Sequence, residues 1–394
     1  MSTWISRHRC EPAPYPRSSQ SKEVRMHSSM SAKRWSKSIV AVLAVGALGL
    51  TGCASPSAPA APADGAGVPG AHFAYASTSP LASVLGAQQL KTWDDFGIDV
   101  TIDEVPDVGT ATDLAIGKKA DFGHSAPTTA FAAMSQGVPI TIIAGLGFGQ
   151  GEHQAGYLTA LGSSDIKTLA DLEGKKVAVT GIGTSYDFYL RAALQKENLV
   201  AGEDVQIVPV PYPQMRGALA QGQVDAALLL AVDYATLQGE QPVNVIATTA
   251  DLAGAPMEVT GVVVARNDWL KDNHDTAVAF LAGLLKSEST IEDDVANNNA
   301  ADTIEMLQPV VKYDDATMAA YVTYRLSDVG QESQLGGLLR VPKSFINPAL
   351  ETLQSGGGLP GKTVVTYDSA VDLSYLKDAY IEAGLTWNDD VKYP

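Results

Sequence analysis

Hydroxyl-bearing residues stand at four places in the sequence where a helix is expected to begin. The first backbone N–H groups of a helix have no partner within it, and the helix dipole is positive there. Hydroxyls beside such N–H groups can hold a carboxylate or sulfonate without a full positive charge. The candidate anion donors are Ser77, Thr78, Ser79, Thr110, Ser125, Thr184 and Ser185. Each of them can alternatively serve only as a cap of its own helix.

Two glycines before the last of these helix starts leave room for a ligand close to the backbone. Gly181 and Gly183 lie just ahead of Thr184, and a residue without Cβ lets the main chain approach another group. The segment is not a dinucleotide-binding fingerprint, because Tyr186 occupies the position of its third glycine. Tyr186 is itself a candidate contact, since its ring can stack on an aromatic ligand, although it can equally lie in the core.

His124 and Ser125 lie in a segment that nearly matches the nucleophile elbow of hydrolases. The segment runs from Gly123 to Pro127, and the elbow would need a glycine where Pro127 stands. Nothing in the sequence marks a histidine base or an acid to complete a catalytic triad, so a hydrolase is not predicted. His124 remains a candidate ligand contact, with a structural hydrogen bond as the alternative.

Two acidic features complete the candidate residues. Asp233 follows a buried apolar run and, if it faces a ligand, favours one that carries an amine; the alternative is a solvated helix cap. The run from Glu292 to Asp294 lacks the glycine and the bidentate glutamate of a calcium loop, and is read as a solvated helix face. The sequence therefore predicts no metal and no cofactor.

The composition excludes several classes of protein. The 394 residues suffice for two or three domains, and 45% hydrophobic with 18% charged residues is typical of a globular chain. The formal charge of −17 argues against a nucleic-acid partner, whose binding needs a basic surface. Two cysteines exclude a disulfide scaffold and a cysteine-rich metal site.

The N-terminal region has the order of an export signal. Basic residues precede the apolar run Ile39–Leu50, which at twelve residues is too short to span a bilayer. The run ends in Leu50-Thr-Gly-Cys53, which resembles the lipobox of bacterial lipoproteins, in which the cysteine carries the lipid anchor. An ordinary signal peptide or an uncleaved anchor are the alternatives. Residues 1–25 are interpreted as an over-long extension, with Met26 or Met30 as the better start.

The rest of the chain alternates strands with short helices. Such alternation predicts parallel strands covered by helices. The pattern at Ile116–Gly123, where a helix ends, turns and enters a strand, returns at Ala220–Ala227. Two similar α/β lobes in one chain imply a cleft between them, where a ligand can bind.

Several runs resemble a known family. They are Asp171–Thr180, Gly181–Ser185, Val210–Pro213 and Gln221–Leu228, with Ala120–Pro127 and Gly137–Ile140 earlier in the chain. This pattern, over about residues 71–385, resembles the sulfonate, taurine, nitrate and thiamine-precursor group of ABC-transporter substrate-binding proteins. The resemblance implies a two-lobe periplasmic-binding-protein fold of type II, each lobe a mixed sheet covered by helices. It also implies two crossover segments, near Ala155–Leu161 and Val259–Ala265, and no enzymatic activity.

The resemblance further implies a function and partners. A small, anionic organic solute would be captured by hinge closure, and a membrane permease with its ATPase would recognise the closed form of this monomer. The protein would lie outside the cytoplasm, anchored to the membrane by a lipid on Cys53. An enzyme of the thiamine-pyrimidine type and a ligand sensor without transport are the alternatives. The predicted segments are 1–25 as the extension, 26–52 as the signal peptide, 53–70 as lipidated Cys53 and its tether, 71–158 plus 262–394 as lobe 1, and 159–261 as lobe 2.

Overall fold

A computed structural model describes the folded part of the chain. It covers residues 68–77, 81–150, 155–182, 184–254, 257–322, 338–355 and 359–389. The predictions for the signal peptide, Cys53, Thr78, Ser79 and Gly183 lie outside the described residues. No helix in the described ranges combines the length and apolar character needed to cross a bilayer.

Ten strands form two five-stranded sheets. The first sheet has the order β2-β1-β3-β10-β4, and the second has the order β7-β6-β8-β5-β9. The strands are β1 Gly70–Ala76, β2 Asp99–Val105, β3 Phe122–Ser125, β4 Ile140–Gln150, β5 Gly156–Leu161, β6 Lys176–Val179, β7 Gln206–Pro209, β8 Ala226–Leu230, β9 Val243–Thr248 and β10 Met257–Arg266.

Both sheets are mixed in the same way. In the first, β1 pairs in parallel with β2 and β3, while β10 is antiparallel to β3 and β4. In the second, β6 pairs in parallel with β7 and β8, while β5 is antiparallel to β8 and β9. The central strand β8 is buried at every residue, in keeping with its uninterrupted apolar sequence. The predicted fold class is therefore confirmed.

The weak sequence repeat marks equivalent positions of the two sheets. Asp121 accepts a hydrogen bond from the backbone N–H of His72 through Oδ2, at 2.9 Å. Asp225 accepts one from the backbone N–H of Lys176 in the same way, at 2.8 Å. Each aspartate ties the entrance of one strand to the entrance of its parallel neighbour.

Helices cover the faces of both sheets. Most of the strand-to-helix connections are short, as βαβ units require. The helices are α1 Ala82–Leu90, α2 Val108–Ile116, α3 Pro127–Ser135, α4 Ser185–Lys196, α5 Tyr212–Ala220, α6 Ala231–Glu240, α7 Thr249–Ala253, α8 Asn267–Asp272, α9 His274–Asn298, α10 Ala301–Val311, α11 Asp315–Tyr321, α12 Lys343–Ser355, α13 Tyr367–Ala370 and α14 Ser374–Glu382.

Helix α1 begins later than predicted. The sequence predicts a start at Ser79 with Pro80 in the first turn, but the helix starts at Ala82 with Leu81 as its N-cap. Leu81 has an extended backbone, and its N–H donates to the Tyr75 hydroxyl at 2.7 Å. The hydroxyl of a core tyrosine thus stabilises the helix start in place of the predicted serine cap.

The chain changes sheets at two crossovers. It leaves the first sheet after Gln150 and enters the second at Gly156; it leaves the second after Thr248 and re-enters the first at Met257. The ranges predicted for the crossovers are occupied by β5 and by part of β10, because these apolar runs pair within the sheets. The predicted lobe boundaries, at 158–159 and 261–262, therefore fall inside strands.

Two C-terminal helices pack on helices of the second lobe. Helix α11 packs on α6, and α12 packs on α3 of the first lobe and on α4 and α7 of the second. The Thr352 hydroxyl in α12 donates to the carbonyl of Ala253 in α7 at 3.1 Å. The C-terminal part of the chain was expected to lie wholly in lobe 1, but it also binds lobe 2.

The core of the first lobe is aromatic where α9 crosses the sheet. Phe280 of α9 stacks on Phe122 with ring centroids 4.0 Å apart, and Trp93 stacks on Phe280 at 5.8 Å. The Trp93 indole N–H also donates to the Phe280 carbonyl at 3.0 Å. A Cβ at Gly283 would lie 2.1 Å from the Trp93 ring, so the close approach requires glycine there.

Candidate ligand-binding site

Seven helices begin at the carboxyl ends of sheet strands, three in the first lobe and four in the second. Helices α1, α2 and α3 follow the carboxyl ends of parallel strands in the first sheet. Helices α4, α5, α6 and α7 follow strand ends at one edge of the second sheet. Ligands of open α/β sheets bind outside such carboxyl ends. The candidate site is therefore built from helix N-termini of both lobes.

The starts of α3 and α4 meet across the lobe boundary. The Thr128 hydroxyl in the first turn of α3 hydrogen-bonds the Ser185 hydroxyl at the first residue of α4. Neither helix has a side-chain cap: the N-cap residues Ala126 and Thr184 make no capping hydrogen bond. Two positive helix ends thus converge where their side chains touch. We call these two starts the paired helix starts.

Thr184 and Tyr186 complete the α4 side. The Thr184 hydroxyl is half-buried and donates to the Gly181 carbonyl at 2.8 Å, which fixes the turn ahead of the helix. Tyr186 is buried in the first turn of α4. The sequence prediction placed Thr184, Ser185 and Tyr186 in the site, and the structure brings these three residues to one helix start.

His124 is a buried residue of the first lobe. It is 2% exposed, and its ring stacks on Tyr75 with centroids 5.4 Å apart. A Cβ at Gly261 on the neighbouring strand would lie 2.7 Å from His124 Nε2, so glycine makes room for the ring. His124 and Tyr75 thus pack together at the carboxyl ends of β3 and β1, and the Tyr75 hydroxyl accepts a hydrogen bond from the Leu81 N–H at the start of α1.

The hydroxyl of Ser125 forms its hydrogen bonds within the first lobe. It accepts from the Thr112 hydroxyl at 2.7 Å and donates to the Ala126 carbonyl at 3.1 Å, and the residue is fully buried. Ser125 therefore ties β3 to α2 and leads the chain into α3.

The two other predicted hydroxyl clusters are arranged differently. Thr110 donates both its N–H and its hydroxyl to the Asp107 carboxylate, at 2.8 and 2.9 Å, so this helix start already holds an anionic group. Ser77 is exposed at the end of β1, and its N–H donates to Val105 at 3.1 Å. Neither residue is brought to the Thr128–Ser185 contact by a hydrogen bond in the described ranges.

Asp233 lies in the first turn of α6, at the same edge of the second sheet as α4. Burial raises the pKa of its carboxyl to about 6, against the opposing charge of Arg216. Arg216 itself pairs with Glu240 at 3.3 Å, at the far end of α6. The Asp233 carboxyl is therefore costly to ionise, and an ammonium group beside it would stabilise the ionised form.

Thr128 is the site residue that the sequence prediction missed. The signal was present: Pro127 occupies the first helical turn, and Thr128 follows at a position where backbone N–H groups are free. Its importance depends on the partner residue Ser185, which belongs to the other lobe. Within the described residues, no group of three or more metal-ligating side chains occurs.

Two mixed sheets of one topology, with helix starts meeting between them, define the two-lobe fold of periplasmic binding proteins of type II. Solved structures share this fold at low sequence identity. The alkanesulfonate-binding protein SsuA of Xanthomonas axonopodis, bound to MOPS, is 17% identical with a TM-score of 0.57; the match covers 77% of this chain and 97% of that one. The periplasmic nitrate-binding protein NrtA of Synechocystis is 16% identical with a TM-score of 0.58, over 80% and 89%.

The chain belongs to the NMT1/THI5-like family, whose model matches residues 81–294. This match runs through both sheets and confirms the family resemblance. A curated relative, a Haemophilus influenzae protein named for thiamine biosynthesis, is 26% identical over 212 residues. That alignment spans 54% of this chain and 65% of the relative.

Proposed function

We propose that the protein is the extracytoplasmic solute receptor of an ABC importer. It would capture a small anionic organic solute, such as a sulfonate or taurine, between its lobes by hinge closure. The observation that carries the proposal is the hydroxyl contact between Thr128 and Ser185, at two helix starts that lack side-chain caps.

The electrostatics of the paired helix starts favour an anion. Each helix N-terminus carries about half a positive charge and up to four free N–H groups. Bringing two such ends together is unfavourable unless negative charge lies between or beside them. The overall charge of −17 is no obstacle, because backbone N–H groups and hydroxyls can bind an anion without lysine or arginine.

Asp233 supports a zwitterionic solute within this class. A carboxyl group at the cleft-side edge, with its pKa raised by burial, gains most from a ligand that brings an ammonium group. An aminosulfonate such as taurine would then place its anion on the paired helix starts and its amine toward Asp233.

Transport partners and location follow from the same proposal. The two proteins of similar fold named above are binding proteins, and NrtA of Synechocystis is a periplasmic one. A permease and an ATPase would receive the solute, and a lipid on Cys53 would hold the receptor, a monomer, at the outer face of the membrane. A second candidate ligand is a thiamine-precursor pyrimidine, which the name of the Haemophilus relative supports.

Thermal unfolding against a panel of solutes tests the proposal. The panel holds taurine, ethanesulfonate, nitrate, benzoate and an aminopyrimidine. A solute at about 100 times its dissociation constant stabilises the protein by about 2.7 kcal/mol. Thr128→Val and Ser185→Ala should shrink the shift, whereas Thr290→Val, an exposed threonine of α9, should not.

The outcomes separate the candidates. A shift with taurine or ethanesulfonate supports the anion receptor, and a shift with the pyrimidine alone favours the second candidate. If no panel member raises the unfolding temperature, and mass spectrometry of the denatured protein finds no copurified solute, the proposed ligand class is wrong. Conversion of a bound pyrimidine into a new product would instead support the enzyme alternative.

A further inference from the structure

Helix α12 is fixed to the first lobe where it begins. The stretch ahead of it, residues 338–341, is buried, and the Leu339 carbonyl accepts a hydrogen bond from the Gly145 N–H in β4 at 2.7 Å. The Arg340 guanidinium lies over the ring of Trp387, 3.7 Å from its centroid. A cation stacked on an indole at this distance, together with the bond to β4, holds the start of α12 on the first lobe.

The last turn of α12 is bound to both lobes. Gln354 donates its side-chain N–H to the Val365 carbonyl at 3.2 Å, and Val365 lies just ahead of α13, which packs on β4 of the first lobe. Thr352, two residues before Gln354, donates its hydroxyl to the Ala253 carbonyl of the second lobe at 3.1 Å. One turn of helix thus connects the two lobes through side chains.

Ala253 stands where the chain is about to return to the first sheet. It is the last residue of α7; Gly254 follows as the C-cap with a φ of 71°, and β10 begins at Met257. A Cβ at Gly254 would lie 3.7 Å from Thr352 Oγ1 and 3.9 Å from Lys196 Nζ. The end of α12 therefore packs against the second crossover, at a glycine whose left-handed backbone suits a turn of the chain.

A hydrogen bond in this position resists movement of one lobe relative to the other. Helix α12 cannot follow the second lobe, because residues 338–341 and Gln354 hold both of its ends on the first. Five apolar side chains of α12 are buried as well, so the helix is tightly packed along its length. Rotation of the lobes about the crossovers must therefore stretch the Thr352–Ala253 bond or bend a packed helix.

The lobes of this structure are in the arrangement in which the cleft is closed at the paired helix starts. Thr128 and Ser185 hydrogen-bond each other there across the lobe boundary. The bond from Thr352 to Ala253 is made in the same arrangement. It therefore contributes to the free energy of the closed state without contacting the paired helix starts.

We propose that α12 is a hinge brace, carried by the first lobe, that holds the end of α7 through Thr352 and stabilises the closed arrangement. The hinge closure comes from the proposed function, on which this inference rests, but the arrangement of the lobes can be measured without any solute. One hydrogen bond between uncharged groups corresponds to a change of about fivefold in an equilibrium. Loss of this bond should therefore raise the ratio of open to closed molecules about fivefold.

Distances between spin labels on the two lobes of the ligand-free protein test the hinge brace. The labels replace exposed residues ahead of β3 and β7, as Lys119→Cys and Glu203→Cys, and Cys10→Ser and Cys53→Ser remove the native thiols. Pulsed electron paramagnetic resonance then gives the populations of the open and closed arrangements. Thr352→Val should raise the open-to-closed ratio about fivefold, whereas Thr352→Ser, which keeps the hydroxyl, should behave as the wild type.

The control is a threonine-to-valine change of the same kind inside one lobe. Thr236 of α6 is half-buried like Thr352, and its hydroxyl donates to the Val232 carbonyl of the same helix at 2.8 Å. Thr236→Val should leave the open-to-closed ratio unchanged. An equal rise in Thr236→Val would show a general loosening and contradict the proposal, as would an unchanged ratio in Thr352→Val. If Thr352→Val does not fold, Thr352→Ala takes its place with the same expected and contradicting results.

A binding measurement connects the hinge brace to function. With whichever panel solute raises the unfolding temperature, the dissociation constant of Thr352→Val should rise by the factor by which its closed fraction falls. A dissociation constant that does not follow the closed fraction would contradict a role of the brace in solute binding. If no panel solute binds, the proposed function fails, and the label distances alone decide whether α12 braces the hinge.

Discussion

Helices that begin at the lobe boundary start in two different ways. Helix α2 is capped by Asp107, and α7 by a capping box in which Thr248 and Asp251 bond each other's backbone. The paired helix starts of α3 and α4 have no side-chain cap. All four lie at strand ends of the same kind, so the difference is in the side chains and not in the topology.

We expect this difference to separate hydroxyls with a structural role from hydroxyls available to a ligand. At the capped starts, the protein supplies its own carboxylate or hydroxyl to the free N–H groups, and a solute would have to displace it. At the paired starts no side chain fills that role, and the hydroxyls of Thr128 and Ser185 meet each other instead. An uncapped helix start costs stability that a bound anion can return.

The strongest test places a carboxylate at the paired starts. Ser185→Asp should lower solute affinity at least about a hundredfold, or about 2.7 kcal/mol, because the new anion takes the free N–H groups and repels the solute. Stability should be retained, since an acid at a helix N-terminus is favourable. Titration calorimetry measures the loss. Thr110→Asp, the same kind of change beside the existing Asp107 cap, should leave solute affinity unchanged. An equal loss of affinity in Thr110→Asp would show that capped and uncapped helix starts do not differ in solute binding.

Removing the hydroxyls at the paired starts should have a smaller effect. Thr128→Val and Ser185→Ala should each lower affinity about tenfold to thirtyfold, or about 1.5 to 2 kcal/mol, because each removes one hydrogen bond to a charged group. The melting temperature without solute should stay near that of the wild type. Equilibrium dialysis with a panel solute checks this prediction, and full affinity in the double variant would show that the solute binds elsewhere.

Removing a cap should affect stability and not binding. Asp107→Ala should destabilise the protein by about 1 kcal/mol, because the N–H and hydroxyl of Thr110 lose their acceptor. Solute affinity should stay within about twofold of the wild type, a change smaller than one hydrogen bond. Urea denaturation and binding measured on the same preparation check both parts. A loss of binding free energy larger than the loss of unfolding free energy would mean that α2 also contacts the solute.

The smallest expected effect concerns pH and Asp233. Its folded pKa, about 6, lies above the value near 3.9 of an unfolded chain, so its contribution to stability is lost as pH rises from about 4 to about 6. Asp233→Asn should be more stable than the wild type at about pH 7.5 and equal to it at about pH 4. Melting curves at both pH values measure the difference, with Glu203→Gln, an exposed glutamate of the second lobe, as the control. A constant difference at both pH values would refute the assignment.

Local patterns were sufficient for most elements of the fold. The helix start expected at Thr184 and Ser185 is observed at Ser185, because an N-cap signal and helical periodicity are local features. The repeat that suggested two similar lobes marks Asp121 and Asp225, which play the same part in each sheet. Such features need only a few neighbouring residues to be recognised.

Contacts between distant residues could not be predicted in this way. Thr128 and Ser185 are separated by 57 positions in the chain, and their meeting depends on how two lobes pack. The bonds from Thr110 to the Asp107 carboxylate have a local origin, since Asp107 three residues earlier is a capping signal that the prediction did not weigh. The packing of α11 and α12 on the second lobe depends on apolar faces that fit either lobe equally well by pattern alone.

The late C-terminal helices set the order in which the chain can complete its fold. The first sheet lacks its inner strand β10 until residue 266 has been made, after all five strands of the second sheet. The face of α6 stays uncovered until α11 arrives at residues 315–321. Neither lobe can therefore finish during synthesis of its own segment, and the newly made chain passes through a long incomplete stage with apolar surface exposed.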